Sequence, residues 1–138
     1  MRSTDELTGI FRGQGLRVTP QRQAIFRLLE GNESHPTVDA LFEQVRTTMP
    51  TISLKTVYQT VHDLEALGEV RLLDLGTGSV RVDPNVEDDH QHLVCSGCGA
   101  VRDLGLDTAR LELPGTGTDG FVVDAVQVIV RGRCEQCR

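Results

Sequence analysis

All four cysteines of the chain fall into two pairs, Cys95-x-x-Cys98 and Cys134-x-x-Cys137, and no other feature constrains the fold as much. A tight turn presents both thiolates of such a pair to one ion, and two turns complete a closed tetrahedral site of the kind that holds structural zinc. The separation of the pairs is wider than in a compact zinc ribbon, so the ion is expected to clamp the last residues onto a strand near residue 95. Structural zinc contributes on the order of 10–16 kcal/mol to folding, comparable with the net stability of a whole domain. A unit this poor in aromatic residues (4% of the chain, with no Trp) has use for it. Two other readings of the pairs stay open. Redox pairs of the thioredoxin type lie at a helix N-terminus after a strand, whereas each pair here sits in or beside a Gly-bearing turn. A rubredoxin-like iron centre takes the same four ligands. Four thiolates leave no open coordination position, which fits a structural ion better than a catalytic one.

The halves of the 138-residue chain differ in kind. Residues 1–72 carry helical periodicity and no Cys, while residues 80–138 hold every Cys, short β-prone runs and a Gly-rich stretch. This places a boundary near 76–90. Thr19-Pro20 reads as an N-cap with Pro at the first helical position, followed by Ile25, Leu28 and Leu29 before Gly31. Thr37 caps a second helix with Val38, Leu41, Phe42 and Val45 on its apolar face, ending by Pro50. Ser53 opens a third, with Val57, Val61, Leu64 and Leu67 on one side. Residues 69–73 and 79–83 then flank a turn containing Gly76 and Gly78 and read as a hairpin. Three helices and a hairpin give the order of a winged helix, whose helix 53–67 would enter the major groove. In the second half, 90–94 and 100–103 read as strands, Phe121 to Val130 reads as the strongest strand of the protein, and 113–120 reads as loop.

Net charge is −6, from 14 Lys and Arg against 20 Asp and Glu. That argues against unspecific coating of nucleic acid but leaves room for a locally basic reading surface. Residues 1–27 hold five Arg against two acids, and residues 44–62 contain Arg46, Lys55 (the only lysine) and no acid. No stretch reaches the ~18–20 apolar residues that span a bilayer, and the N-terminus lacks a signal peptide's apolar run. The expectation is a soluble, cytoplasmic protein without a membrane partner, in which cysteines serve as ligands rather than disulfides. A second cluster is rich in nitrogen and oxygen donors. His90 and His92, two apart on a strand, point to the same side, with Asp83, Asp88, Asp89 and Asp103 nearby. That mixture suits Fe(II), Mn(II) or Zn(II) rather than Ca(II) or Mg(II). A solvated acidic loop with exposed histidines is the plainer alternative. His62 reads as a residue at the edge of the core or facing phosphate. A hydrolase would need an open metal with a base beside it, and no His-Glu-x-x-His or nucleophile motif is present. A zinc-ribbon interaction protein that binds no DNA is the remaining class.

Gly15-Leu-Arg-Val-Thr-Pro-Gln-Arg22, His35-Pro-Thr37, Ser53-Leu-Lys-Thr-Val-Tyr58, His90-Gln-His92 and the two Cys pairs, in this order over nearly the whole chain, resemble the ferric uptake regulator (Fur) family of metal-responsive repressors. The resemblance implies an α+β protein: a winged-helix DNA-binding domain with hinge over 1–83, and a small α/β dimerisation domain over 84–138 carrying the four-cysteine zinc. It implies a homodimer that binds a palindromic operator on double-stranded DNA when loaded with Fe(II) or Mn(II). The regulatory metal would be held by His35, Asp83, His90, His92 and Asp103, with Asp88 or Asp89 as substitutes for Asp83. Asp at both carboxylate positions resembles the peroxide-sensing branch, in which the metal-bound histidines, here His35 and His90, are oxidised. An iron-, zinc- or nickel-responsive repressor without that chemistry is the alternative. DNA contacts carried over are Arg17, Arg22, Lys55, Thr56, Tyr58 and Gln59, the last standing where relatives have Arg. A further metal site of some relatives is implied to be absent, because Gln91 and the stretch from Phe121 lack the histidines. The helix usual in 104–119 is expected to be largely lost.

Overall fold

The computed structural model describes residues 1–114 and 118–138, so residues 115–117 of the expected loop lie outside the described residues. The chain forms two compact units, Met1–Glu87 and Asp88–Arg138.

The first unit contains four helices and a hairpin: α1 (Thr4–Gly13), α2 (Pro20–Leu29), α3 (Val38–Val45), α4 (Leu54–Ala66), β1 (Arg71–Leu73) and β2 (Arg81–Asp83). Three helix starts follow the sequence reading, with Thr19, Thr37 and Ser53 each accepting a backbone N–H of the first turn. Helix α1 corrects the expectation of three helices. Its glycines (Gly9, Gly13, then Gly15) obscured a short amphipathic run that buries Leu7 and Phe11. Its start carried a legible capping box: the Ser3 hydroxyl accepts from Glu6 N, and the Glu6 carboxylate from Ser3 N. Helix α3 stops well before Pro50, where the Thr47 and Thr48 hydroxyls donate to the carbonyls of Gln44 and Val45. The core joins Leu7 and Phe11 to Ile25, Phe26, Leu29, Leu41, Val45, Val57, Val61, Leu64 and Val82, all at most 1% exposed. Phe11 meets Phe26 edge-on at 4.8 Å, an arrangement aromatic pairs favour. Strands β1 and β2 pair antiparallel, Leu72 opposite Val82, and Gly76 and Gly78 take the positive φ the turn requires.

The second unit is a three-stranded sheet in the order β4-β3-β5, with β3 (Gln91–Cys95), β4 (Val101–Leu104) and β5 (Ile129–Gly132). Strand β3 runs antiparallel to β4 and parallel to β5. The long strand expected from Phe121 is not formed: only Ile129–Gly132 joins the ladder, and Phe121 and Val122 are 79% and 88% exposed. Strand propensity registers a side chain suited to a pleated surface but not whether a partner strand is available. The ladder begins where Ile129 meets His92 and ends with Gly132 opposite Cys95, the register that delivers Cys134 to the first cysteine pair. Gln91, 3% exposed, accepts the Val128 N–H through its side-chain oxygen and fixes where the ladder starts. In the stretch 104–119 the described helical structure is one 3-10 turn, Thr108–Arg110. Among the described residues no helix is long and apolar enough to cross a membrane.

Candidate metal centres and nucleic-acid face

The four thiols close one end of the sheet. Cys95 ends β3, Cys98 follows in the turn to β4, and Cys134 and Cys137 lie in the turn beyond β5. Their sulfurs all fall within 4.8 Å of one another, with Cys98 Sγ and Cys134 Sγ at 3.8 Å, and all four are free. The turns face each other so closely that a Cβ on Gly97 would stand 2.8 Å from Cys137 Cβ and 2.9 Å from its sulfur. The Cys134 N–H donates to Cys95 Sγ at 3.3 Å. That bond, with those from the Cys98 and Gly97 amides, holds the Cys95 thiol near pKa 6. Hydrogen bonding to the sulfurs of Cys134, Cys98 and Cys95 pushes Cys137 up to about 12. Four sulfurs crowded at one point, with amides aimed at them, suit a soft tetrahedral cation in place of thiol protons. The residues therefore fit zinc.

The nitrogen and oxygen donors lie in both units. In the first, His35 Nε2 and Asp83 Oδ1 are 3.7 Å apart, each side chain 1% exposed. The His35 backbone takes φ +49°, the one non-glycine residue with positive φ among those described. Such a conformation costs about 1–2 kcal/mol and persists where surrounding contacts enforce it. Here His35 Nδ1 contacts Glu33 O at 3.0 Å, the Arg81 guanidinium donates to His35 O at 3.3 Å, and Val82 N donates to Pro36 O at 2.8 Å. Asp83 is held by the Asn85 N–H at 2.8 Å. In the second unit the His90 and His92 rings meet edge-on at 4.9 Å, and His90 Nε2 lies 3.5 Å from Asp103 Oδ1. His92 pairs directly with Asp103 across the β3–β4 ladder. Both imidazoles are buried, while Asp88 and Asp89 are exposed, so the inward carboxylate on the His35 side is Asp83. Buried imidazole beside carboxylate is a donor set for Fe(II), Mn(II) or Zn(II).

On the first unit, Arg17, Lys55 and Tyr58 are exposed. Tyr58 stacks against His62 one turn along α4, with ring centroids 6.5 Å apart. His62 stands on that outer face rather than at the core edge, with Glu65 at 3.6 Å. Thr56 is half-buried, its hydroxyl bonded to Ser53 Oγ at 2.9 Å. Arg22 departs from its expected place at phosphate. Its guanidinium turns inward, over the Phe11 ring at 5.4 Å and against Asp63 at 2.7 Å, with side chains only 14% and 16% exposed. Gln59 donates to the same carboxylate at 3.0 Å. Pattern alone does not show that Asp63, two turns down another helix, faces Arg22.

The chain thus combines a winged-helix unit with a small sheet that carries four clustered thiols and candidate metal ligands. The model of the ferric uptake regulator family matches residues 13–129. The chain is 34% identical over 137 residues to the peroxide-responsive repressor PerR of Staphylococcus epidermidis, covering 97% of this chain and 89% of that one. Among solved structures, the peroxide stress regulator of Campylobacter jejuni is 28% identical, with a TM-score of 0.64 over 99% of this chain and all of the other. The Helicobacter pylori ferric uptake regulator shares the fold at a TM-score of 0.74 and 16% identity, over 96% of this chain and 89% of that one. The chain belongs to the ferric uptake regulator family. Family members are transcriptional regulators, not enzymes.

Proposed function

We propose that the protein is a metal-dependent transcriptional repressor that binds a palindromic operator as a homodimer, and that peroxide relieves repression by oxidising His35 and His90. The observation that carries this reading is the pair of histidine–aspartate sets, buried His35 with buried Asp83, and buried His90 and His92 with Asp103 at the surface. Their chemistry is that of a regulatory Fe(II) or Mn(II), distinct from the all-sulfur zinc set. The likeness to two peroxide regulators supports the finer assignment.

The proposed mechanism divides between the units, with residues 1–83 reading DNA and residues 84–138 holding zinc and forming the dimer. One ion shared by His35 and Asp83 from the first and His90, His92 and Asp103 from the second would favour one angle between them. A metal with higher affinity for that form shifts the population toward it. Two copies then hold their α4 helices about one DNA turn apart, ~34–36 Å. Tyr58 offers its ring to thymine methyls, Lys55 and Arg17 meet phosphates or base edges, and Thr56 and Gln59 line the same approach. Iron held by these residues would supply the one-electron chemistry that makes peroxide a local oxidant. Each oxidised imidazole, His35 or His90, would exchange a ring C–H for a C–O bond while one peroxide is reduced to water. It would cease to be a good ligand, so the protein is consumed rather than turned over.

The test begins with anaerobically purified protein. A palindromic operator is expected to shift only with Fe(II) or Mn(II), and the shift to weaken with salt as phosphate neutralisation requires. Peroxide treatment of the Fe(II) form is expected to add oxygen to peptides containing His35 or His90. Binding indifferent to metal would overturn the repressor mechanism. Unmodified histidines after peroxide would leave an iron- or manganese-responsive repressor without oxidative sensing.

A further inference from the structure

The geometry points to Arg81 as a positioning residue that holds His35 in its ligating pose and fastens the wing turn to it. This inference rests on the reading of His35 as a regulatory-metal ligand and lies wholly within the first unit.

One guanidinium bridges two loops that are distant in sequence. Arg81 Nη1 donates to the His35 carbonyl and Arg81 Nε to the Thr77 hydroxyl, both at 3.3 Å. Thr77 lies in the turn of the β1–β2 hairpin and His35 precedes α3. The carbonyl that Arg81 holds belongs to the residue with φ +49°. Rotation of that backbone toward negative φ would carry the imidazole elsewhere. The backbone around Arg81 reinforces the link, since Thr37 bridges to Arg81 and Val82 N donates to Pro36 O at 2.8 Å. Two residues beyond Arg81 the same strand delivers Asp83, whose carboxylate stands 3.7 Å from His35 Nε2. Strand β2 is thus both the return strand of the wing and the scaffold for two candidate ligands. The candidate ligand His35 and the turn of the hairpin are both held by the same side chain. Arg81 is half-buried, so solvent only partly competes for its donors.

The test uses full-length, zinc-loaded Arg81→Ala, Arg81→Lys, Thr77→Val and His35→Ala, with Mn(II) titration, zinc content, and amide hydrogen exchange of the Mn(II)-free proteins. Arg81→Ala is expected to weaken Mn(II) binding about 10–100-fold, the usual effect of removing a group that orients a ligand, with zinc content unchanged. Arg81→Lys keeps a cationic donor within reach of the His35 carbonyl and is expected to recover most of that affinity. It gives up the Thr77 bond, so its hairpin-turn amides should exchange faster, as in Thr77→Val, whose Mn(II) affinity should match the parent's. Parent-like Mn(II) affinity in Arg81→Ala overturns the inference, and so does parent-like exchange of the turn in Arg81→Lys, which decides the matter even if Arg81→Ala does not fold. Loss of Mn(II) by His35→Ala with Arg81→Ala unaffected removes only the role of Arg81. Retention of Mn(II) by His35→Ala removes the ligand reading and this inference with it.

Discussion

Gly97 has room for no side chain, and that lets the two cysteine turns approach each other. A Cβ there would meet Cys137 Cβ at 2.8 Å and Sγ at 2.9 Å. Gly97→Ala is therefore expected to spread the two turns, destabilising the zinc-loaded protein by about 1–3 kcal/mol, as overpacking does, and speeding zinc transfer to a chromogenic chelator. Arg22 makes the second residue-scale case. Its removal leaves the Asp63 charge in a poorly solvated place with only the Gln59 amide to bond it, so Arg22→Ala should cost about 2–4 kcal/mol of stability, somewhat less than a fully buried pair. It should leave the salt dependence of operator binding unchanged. Lys55→Ala is the converse, with little effect on melting and a salt slope reduced by about one.

At the scale of elements, α1 is held by carboxylates from outside the helix. Glu30 accepts the Thr4 N–H at 3.0 Å and its hydroxyl at 2.7 Å, and Glu69 accepts the Arg2 N–H and guanidinium, both at 2.9 Å. The Thr4 hydroxyl and amide lower the pKa of Glu30 below 4.5. A group with depressed folded pKa stabilises at pH above its unfolded value, and that contribution is lost as pH falls through the folded one. Acidification through the Glu30 titration should thus release α1 before α2 to α4, seen as earlier loss of protection at Leu7 and Phe11 amides. Glu30→Gln, which keeps an acceptor oxygen but has no titrating charge, should lose that pH dependence. The return strand β2 couples to the His35 segment through Val82 and Arg81, whereas residues 121–127 have no ladder partner among the described residues. This contrast explains why the short 81–83 run forms a strand while most of the longer apolar run does not.

Taken whole, the two units differ in how they are stabilised. The first buries a continuous core from Leu7 to Val82. Among the described residues, the buried apolar side chains of the second are Val94, Cys95 and Val101. So small a core does not offset the entropy of ordering the chain, and a bound ion of the strength expected for zinc does. Chelation under reducing conditions is expected to collapse amide dispersion for 91–132 while residues 4–83 remain folded. Simultaneous unfolding of both units would show that the first depends on the second for its stability.

The amino-acid sequence determined the local features: capped helix starts at Thr19, Thr37 and Ser53, the glycine turn of the hairpin, the paired cysteines, and the spacing that puts His90 and His92 on one side of a strand. These depend on interactions a few residues apart, which periodicity and turn chemistry encode directly. Tertiary structure alone decided that Arg22 faces Asp63, that the sheet accepts only Ile129 and Val130 of the run from Phe121 to Val130, and that Arg81 reaches from β2 to both the hairpin turn and the backbone of His35. Each is a pairing between segments far apart in the chain, where partner and register are set by which surfaces packing brings within reach, and single-residue propensity carries no record of that.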